Sequence, residues 1–126
     1  MGCTEIDRLM REFYAARGRG DLDAVLRSFS ADVRFHIAST RISNPVAIKA
    51  NGTSELRPLL VLLIKTFSLV DLTIRSITID GANATVHWRA NVHSRITGAT
   101  VPTELIDIVE VRDNCIVNFN EVFVPL

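Results

Sequence analysis

Asp107 and Glu121 are the residues most suited to chemistry in this sequence. Each interrupts a run that is otherwise largely apolar on its side. The runs Val101–Val111 and Cys115–Val124 read as two long strands joined by a tight turn. Side chains alternate along a strand, so Leu105, Asp107, Val109, Val117, Phe119, Glu121 and Phe123 fall on one face. A carboxyl group among such neighbours loses hydration, and complete burial raises its pKa by up to roughly 3–5 units. It can then donate a hydrogen bond or a proton near neutral pH. Two neighbouring carboxyls titrate apart, which lets one act as acid and the other as base.

The turn sets how close the two acids come. Arg112-Asp113-Asn114 suits a three-residue loop, because Asn tolerates left-handed backbone angles. Val111 then faces Cys115, Asp107 faces Phe119 and Leu105 faces Glu121. Glu121 lies diagonal to Asp107, roughly 7–8 Å away. A two-residue loop, Asp113-Asn114, slips the register and puts Asn120 opposite Asp107. The greasier face, with Val117, Phe119 and Phe123, favours the first.

The elements that must position this hairpin are legible upstream. Thr4 to Arg17 has helical spacing, with Ile6, Leu9, Met10, Phe13 and Ala16 on one face and Thr4 as the cap. The Gly residues of Arg17-Gly18-Arg19-Gly20 end it. Asp21 caps a short second helix to about Phe29. After a break at Ser30-Ala31-Asp32, Val33 to Ala38 alternates as a strand. Ser39–Pro45 reads as a loop and Val46–Ala50 as a short strand. Asn51-Gly52 turns the chain into a third helix capped by Thr53 or Ser54, running to about Ser68. Its Leu59–Ile64 run is apolar nearly all round, the pattern of a helix buried on several sides. From Val70 the period is two, with a bulge expected near Arg75-Ser76. Asp80–Asn83 turns, and Ala84–Ile96 alternates Val86, Trp88, Ala90 and Val92 against Thr85, His87, Arg89, Asn91 and His93. Helices segregated from a mostly antiparallel sheet mean α+β. Three helices packed on a strongly curved sheet make a cone with an apolar mouth.

The whole chain bounds the alternatives. Its 126 residues fit one domain, 1–126, with no staple needed. Formal net charge is zero, which argues against nucleic acid as a partner and favours self-association. The two cysteines, Cys3 and Cys115, make no disulfide framework, and the expected setting is reducing and cytoplasmic. The opening lacks a secretory leader, and Ile6 breaks the myristoylation pattern. The longest greasy run, Leu59–Ile64, is too short to span a bilayer, so no membrane partner is expected.

Tyr14-Ala15-Ala16, Gly20-Asp21-Leu22-Asp23, Phe29 and Asp32 closely resemble the opening of ketosteroid isomerases. Ile106-Asp107 and Val111–Phe123 resemble the end of the same family. The likeness extends to the cone-shaped superfamily that also holds SnoaL-like polyketide cyclases, limonene epoxide hydrolases and nuclear transport factor two. The resemblance implies a homodimer formed through the sheets and a small apolar ligand in the cone. Carried over residue by residue, it places the isomerase's oxyanion-binding tyrosine on Phe13, with Tyr14 one residue off. Its general-base aspartate falls on Ile37, and its protonated aspartic acid falls on Asp107. One of three roles survives, and the hydrolase's Asp-Arg-Asp set is not evident. One fold hosts many functions.

The expected site therefore has Asp107 and Glu121 as catalytic acids. Tyr14, Phe13, Ile37, Trp88, Phe119 and Phe123 form its ligand-binding wall, with no metal and no cofactor. Each candidate also has an ordinary role. For Asp107 it is a solvated strand residue or a buried acid hydrogen-bonded to a loop, for Glu121 a rim residue meeting an arginine, for Trp88 a core aromatic and for Tyr14 helix-edge packing. His36, His87 and His93 lie on the opposite faces without further ligands nearby, as surface histidines do. Ile106 and Ile108 give the outer sheet face an apolar patch suited to a partner. Proton transfer on a ring or carbonyl compound is the first functional expectation, and non-catalytic binding or dimerisation the second.

Overall fold

The computed structural model describes residues 1–38 and 47–124. In chain order these form α1 (Cys3–Arg19), α2 (Leu22–Arg27), β1 (Phe29–Ala38), β2 (Ala47–Asn51), α3 (Thr53–Thr66), β3 (Phe67–Asp80), β4 (Asn83–Ser94), β5 (Thr100–Arg112) and β6 (Cys115–Val124). The strands make one sheet in the order β2-β1-β6-β5-β4-β3. All neighbours are antiparallel except β1 and β6. The expected α+β cone stands, and α3 follows β1 and β2 as expected. The expected loop Ser39–Pro45 and the start of β2 at Val46 lie outside the described residues.

α1 lies across the inner face of the sheet. Ile6, Met10, Phe13 and Tyr14 at helical spacing are almost wholly buried there. Each such side chain contributes roughly 1.5–3 kcal/mol relative to exposure. The helix ends at Gly20, whose φ of 69° is the left-handed conformation that glycine adopts without strain. Its start differs from expectation, since Gly2 is the N-cap and makes no side-chain bond. Asp21 caps α2 as expected, its carboxylate accepting from the Ala24 amide at 3.2 Å.

The break expected at Ser30–Asp32 is instead strand. β1 begins at Phe29, and α2 stops at Arg27. Phe29 pairs with Ile116 and the ladder resumes only at Arg34 with Asn118, so residues 30–33 bulge out of the β1–β6 register and the turn signal marks an interruption inside the strand rather than its boundary. α3 buries only one face. Leu56 and Leu60 are covered, whereas Leu62 is 61 % exposed, because the helix rests on the sheet's β1–β2 edge rather than between layers. Neither Thr53 nor Ser54 caps it; the Glu55 carboxylate instead accepts from the Asn51 amide at 2.9 Å. The bulge expected near Arg75 is present between Ile74 and Ser76, and a second lies between Val70 and Thr73.

The hairpin register corrects both sequence expectations. The turn is the two-residue Asp113-Asn114, with φ of 51° and 61°, and Arg112 pairs with Cys115. Both central residues have positive φ, the type I′ geometry that matches strand twist. Taken alone, that turn would bring Asn120 opposite Asp107. A bulge at Val117 adds one residue to β6, so Val111 pairs with Ile116 but Glu110 with Asn118. Beyond it Val109 faces Phe119, Asp107 faces Glu121 and Leu105 faces Phe123. The bulge gives Ile116, fully buried, the inward place expected for Val117. The two acids are thus directly opposed rather than diagonal.

Candidate active site

Three elements converge on the acids. β5 and β6 bring Asp107 opposite Glu121. β4 places Val86 beside Asp107 and Trp88 beside Leu105. α1 crosses above them, and Tyr14 and Arg17, three residues apart, share the helix face that looks down. Met10, Tyr14 and Arg17 continue one stripe at spacings of four and three.

Asp107 has no exposed surface and Glu121 is 3 % exposed. Asp107 Oδ2 accepts from the Tyr14 hydroxyl and from Trp88 Nε1 at 2.7 Å. The other oxygen, Oδ1, is buried with no hydrogen-bond partner. Glu121 is held at two points by Arg17, Nη1 to Oε2 at 2.6 Å and Nη2 to Oε1 at 3.4 Å. Nη1 also stands 3.8 Å from Asp107 Oδ2. The guanidinium lies over the Trp88 ring at 4.8 Å and over Phe13 at 5.9 Å. Tyr14 and Trp88 rings meet at 5.6 Å.

These contacts sort the protonation states. Burial, then the facing Glu121 charge and a hydrogen bond to that same carboxylate, pushes the Asp107 carboxyl well above the usual carboxylate range, against the pull of Arg17 and the Tyr14 hydrogen bond. Burial, then the Asp107 charge, pushes the Tyr14 phenol up as well. Burial opposes the charge on Arg17, but Glu121 more than offsets it, so the guanidinium stays charged. The cluster is then an acid biased toward its protonated form beside a closed ion pair. Its free capacity is a proton on Asp107 and an acceptor on Glu121 once Arg17 moves.

Among the sequence candidates, Asp107, Glu121, Tyr14 and Trp88 meet in this cluster. Ile37 pairs with Glu121 across the parallel β1–β6 ladder. Phe13 and Phe119 pack edge to face at 5.6 Å toward the apolar end of the cone. Phe123 is half-buried on β6 opposite Leu105. Of the ordinary alternatives, Glu121 does meet an arginine, though buried rather than at a rim, whereas Asp107 is neither solvated nor bonded to a loop, since its donors are Tyr14 on α1 and Trp88 on β4. Two surface depressions among the described residues lie elsewhere. One of about 550 Å³ is lined by Leu26, Arg27, Thr53 and Arg57, and one of about 310 Å³ by Cys3, Asp7, Ile77 and Ile79. Neither reaches the cluster, whose groups touch one another.

Arg17 is the residue that sequence reading missed. It was absorbed into the basic, glycine-rich end of α1, where Lys and Arg ordinarily serve the helix dipole. Its place four-then-three residues along from Met10 and Tyr14 was the available signal. With it, the interior holds an acid–guanidinium–acid set built from α1, β5 and β6. Among the described residues no group of His, Cys, Asp and Glu is arranged to hold a metal ion. No helix among them is long and apolar enough to cross a membrane.

The fold recurs widely among solved structures. A candidate isomerase from Bacillus subtilis superposes with a TM-score of 0.82 at 17 % identity, covering 97 % of this chain and 88 % of that one. An LEH-like epoxide hydrolase of M. tuberculosis gives 0.76 at 19 %, covering 96 % and 84 %. A ketosteroid isomerase-like protein from Erwinia carotovora atroseptica gives 0.72 at 14 %, covering 98 % and 96 %. At these identities the likeness is one of fold. No curated protein sequence matches the chain. The model of the SnoaL-like domain, however, matches residues 10–119, from the middle of α1 through β5 and into β6, stopping two residues short of Glu121, and the chain belongs to that family.

Proposed function

We propose that the chain is a small-molecule enzyme in which Asp107 is the proton donor. The observation that carries this is the lone buried oxygen of Asp107. Oδ2 is fixed by Tyr14 and Trp88, while Oδ1 has no hydrogen-bond partner. An unsatisfied buried polar atom costs about 1–3 kcal/mol, and such groups mark functional sites more often than chance. A substrate oxygen placed at Oδ1 competes with the facing Glu121 for the Asp107 proton, and takes the hydrogen bond in its place. The missing base at Ile37 has a neighbour of the right chemistry in Glu121, one strand over. The chemistry this supports is metal-free isomerisation, cyclisation, dehydration or epoxide-type hydrolysis on an apolar ring or carbonyl compound. Epoxide hydrolase-like and isomerase-like relatives share the fold.

The test is a thermal-shift screen of hydrophobic ketones and epoxides, followed by product analysis of the hits. Asp107→Asn is expected to keep the fold and lower turnover by about 10²–10⁴-fold, the usual scale of a general acid. Turnover that survives unchanged makes the acid structural.

A second reading, binding without turnover, is favoured by the closed interior and by Ile37. It expects ligands that bind the wild type and Asp107→Asn alike and are never transformed. Either reading accommodates a homodimer through the outer sheet face. There Ile108 is 51 % exposed, and Ile106 pairs with Val122 beside it. Ile108→Lys is expected to lower the sedimenting mass of a dimer to that of one chain, and a mass unchanged by it removes this surface from consideration.

A further inference from the structure

We infer that the space filled by the Arg17 guanidinium is the seat for a cationic head group, a protonated amine or a guanidine, on an apolar substrate. The inference rests on the cluster being the ligand site. Arg17 occupies a site with the features of cation recognition. One aromatic face lies 4.8 Å from its centre and a second 5.9 Å away. One carboxylate meets it at 2.6 and 3.4 Å, and a second carboxyl oxygen stands at 3.8 Å.

Arg17 is also the member that can leave. Its side chain is 17 % exposed, against 0 % for Asp107 and 3 % for Glu121 beneath it. It comes from the last turn of α1, so its long stem can swing toward water without moving the backbone of the sheet. Whatever replaces it must carry its charge. A neutral guest would leave Glu121 buried and unpaired, and an anion would face it directly, both strongly unfavourable. A cation alone restores the balance and keeps the contact with Trp88. Arg17 then acts as an internal occupant that holds the site closed until a cation competes.

Trp88 is the single tryptophan of the chain, so its emission reports the seat. Arg17→Ala is titrated with guanidinium, n-butylammonium and tetramethylammonium chlorides, with n-butanol and sodium butyrate as neutral and anionic arms, at matched ionic strength. Saturable changes are expected with guanidinium and n-butylammonium in the low millimolar range, far below denaturing guanidinium. They are expected to be roughly tenfold or more tighter than in the wild type, the scale of a desolvated cation–π contact. They are expected to vanish in Arg17→Ala/Glu121→Gln. Should Arg17→Ala fail to fold, recovery of its native circular dichroism by n-butylammonium supports the seat. Failure of that recovery, together with a wild type silent to n-butylammonium, overturns it. In a folded variant, the absence of a saturable cation response, or a preference for butanol or butyrate, overturns it too. Neutral carbonyl compounds bound in an Asp107-dependent way while cations are refused would sink the cation seat and leave the acid–base reading standing. Cations bound equally by Asp107→Asn, with no turnover in either form, would do the reverse.

Discussion

Toward the β5–β6 turn, the interior of the cone is built from Phe13, Phe29, Phe35 and Phe119, whose rings meet edge to face or stacked at 5.1 to 6.0 Å. One helical turn along α1, the same interior holds Tyr14, Arg17, Trp88, Asp107 and Glu121. Both regions are largely buried, with only Arg17 of the polar one reaching water, but they are held by different physics. The aromatic half is stabilised by volume and dispersion, so each ring contributes on its own account. The polar half is stabilised only while every charge has its counterpart, so its members stand or fall together. One region can hold the fold without the other's chemistry. Only the polar one has an unused hydrogen-bonding atom.

The contrast breaks first under truncation. Phe119→Ala is expected to cost about 3–5 kcal/mol in urea denaturation, and no second substitution in the polar cluster should recover it. Arg17→Met leaves Glu121 without its partner and is expected to cost about 3 kcal/mol or more. Here the double variant Arg17→Met/Glu121→Met should regain most of the loss, because replacing both members of a buried pair by apolar groups is often neutral. A double variant no more stable than the single one would show that the polar half is held by packing, like its neighbour.

The two halves also differed in how readably the sequence announces them. The aromatic half follows from period and type: Phe13 on a helical stripe, Phe119 on an alternating strand. The opposition of Asp107 and Glu121 was less accessible. It depends on two compensating irregularities, a two-residue turn and a bulge at Val117, and no local signal marks the bulge. Face assignment survived because the two deviations together keep Glu121 inward. Arg17 was hidden for a different reason. Its neighbours Gly18 and Gly20 mark a helix end, where an arginine has an ordinary electrostatic use. Only the tertiary placement of α1 over β5 and β6 turns it inward. β1 was read short at its start because Ser30 and Asp32 look like turn residues; they do interrupt the β1–β6 ladder, but the strand already begins at Phe29, paired with Ile116, and resumes its pairing at Arg34.

Titration sharpens the contrast further. The Asp107 pKa is raised in the folded chain, so the native state keeps a proton that the unfolded chain releases above about pH 3.9. The stability contributed by this group is therefore full below that pH and is lost as pH rises toward the folded value, by about 1.4 kcal/mol per unit. Asn cannot ionise and matches the neutral acid in shape. The stability difference between Asp107→Asn and wild type is expected to grow in favour of the variant from about pH 4 upward, and to level off once the native carboxyl ionises. Parallel stability curves across that range would mean that the buried acid is already charged. Arg17, 3.8 Å away, must feel the change, so Asp107→Asn and Arg17→Met are expected to be non-additive by about 0.5–3 kcal/mol.

The smallest effect tests whether the halves are separable at all. Asn114 has a φ of 61° at the second position of the hairpin turn, where glycine is preferred in type I′ geometry. Asn114→Gly removes the mild left-handed penalty but adds freedom to the unfolded chain, so the expected gain is only about 0.5 kcal/mol. The turn lies at the aromatic end of β5 and β6, and the bulge at Val117 stands between it and the acids. Register beyond the bulge is set by which residues are buried, not by the turn. Trp88 emission and the pH dependence assigned to Asp107 should therefore be unchanged in Asn114→Gly. Its effect should also add to that of Asp107→Asn to within about 0.5 kcal/mol. A shifted Trp88 spectrum, or a coupling beyond that margin, would show that the turn transmits strain through the bulge to the acids, and that the interior behaves as one unit rather than two.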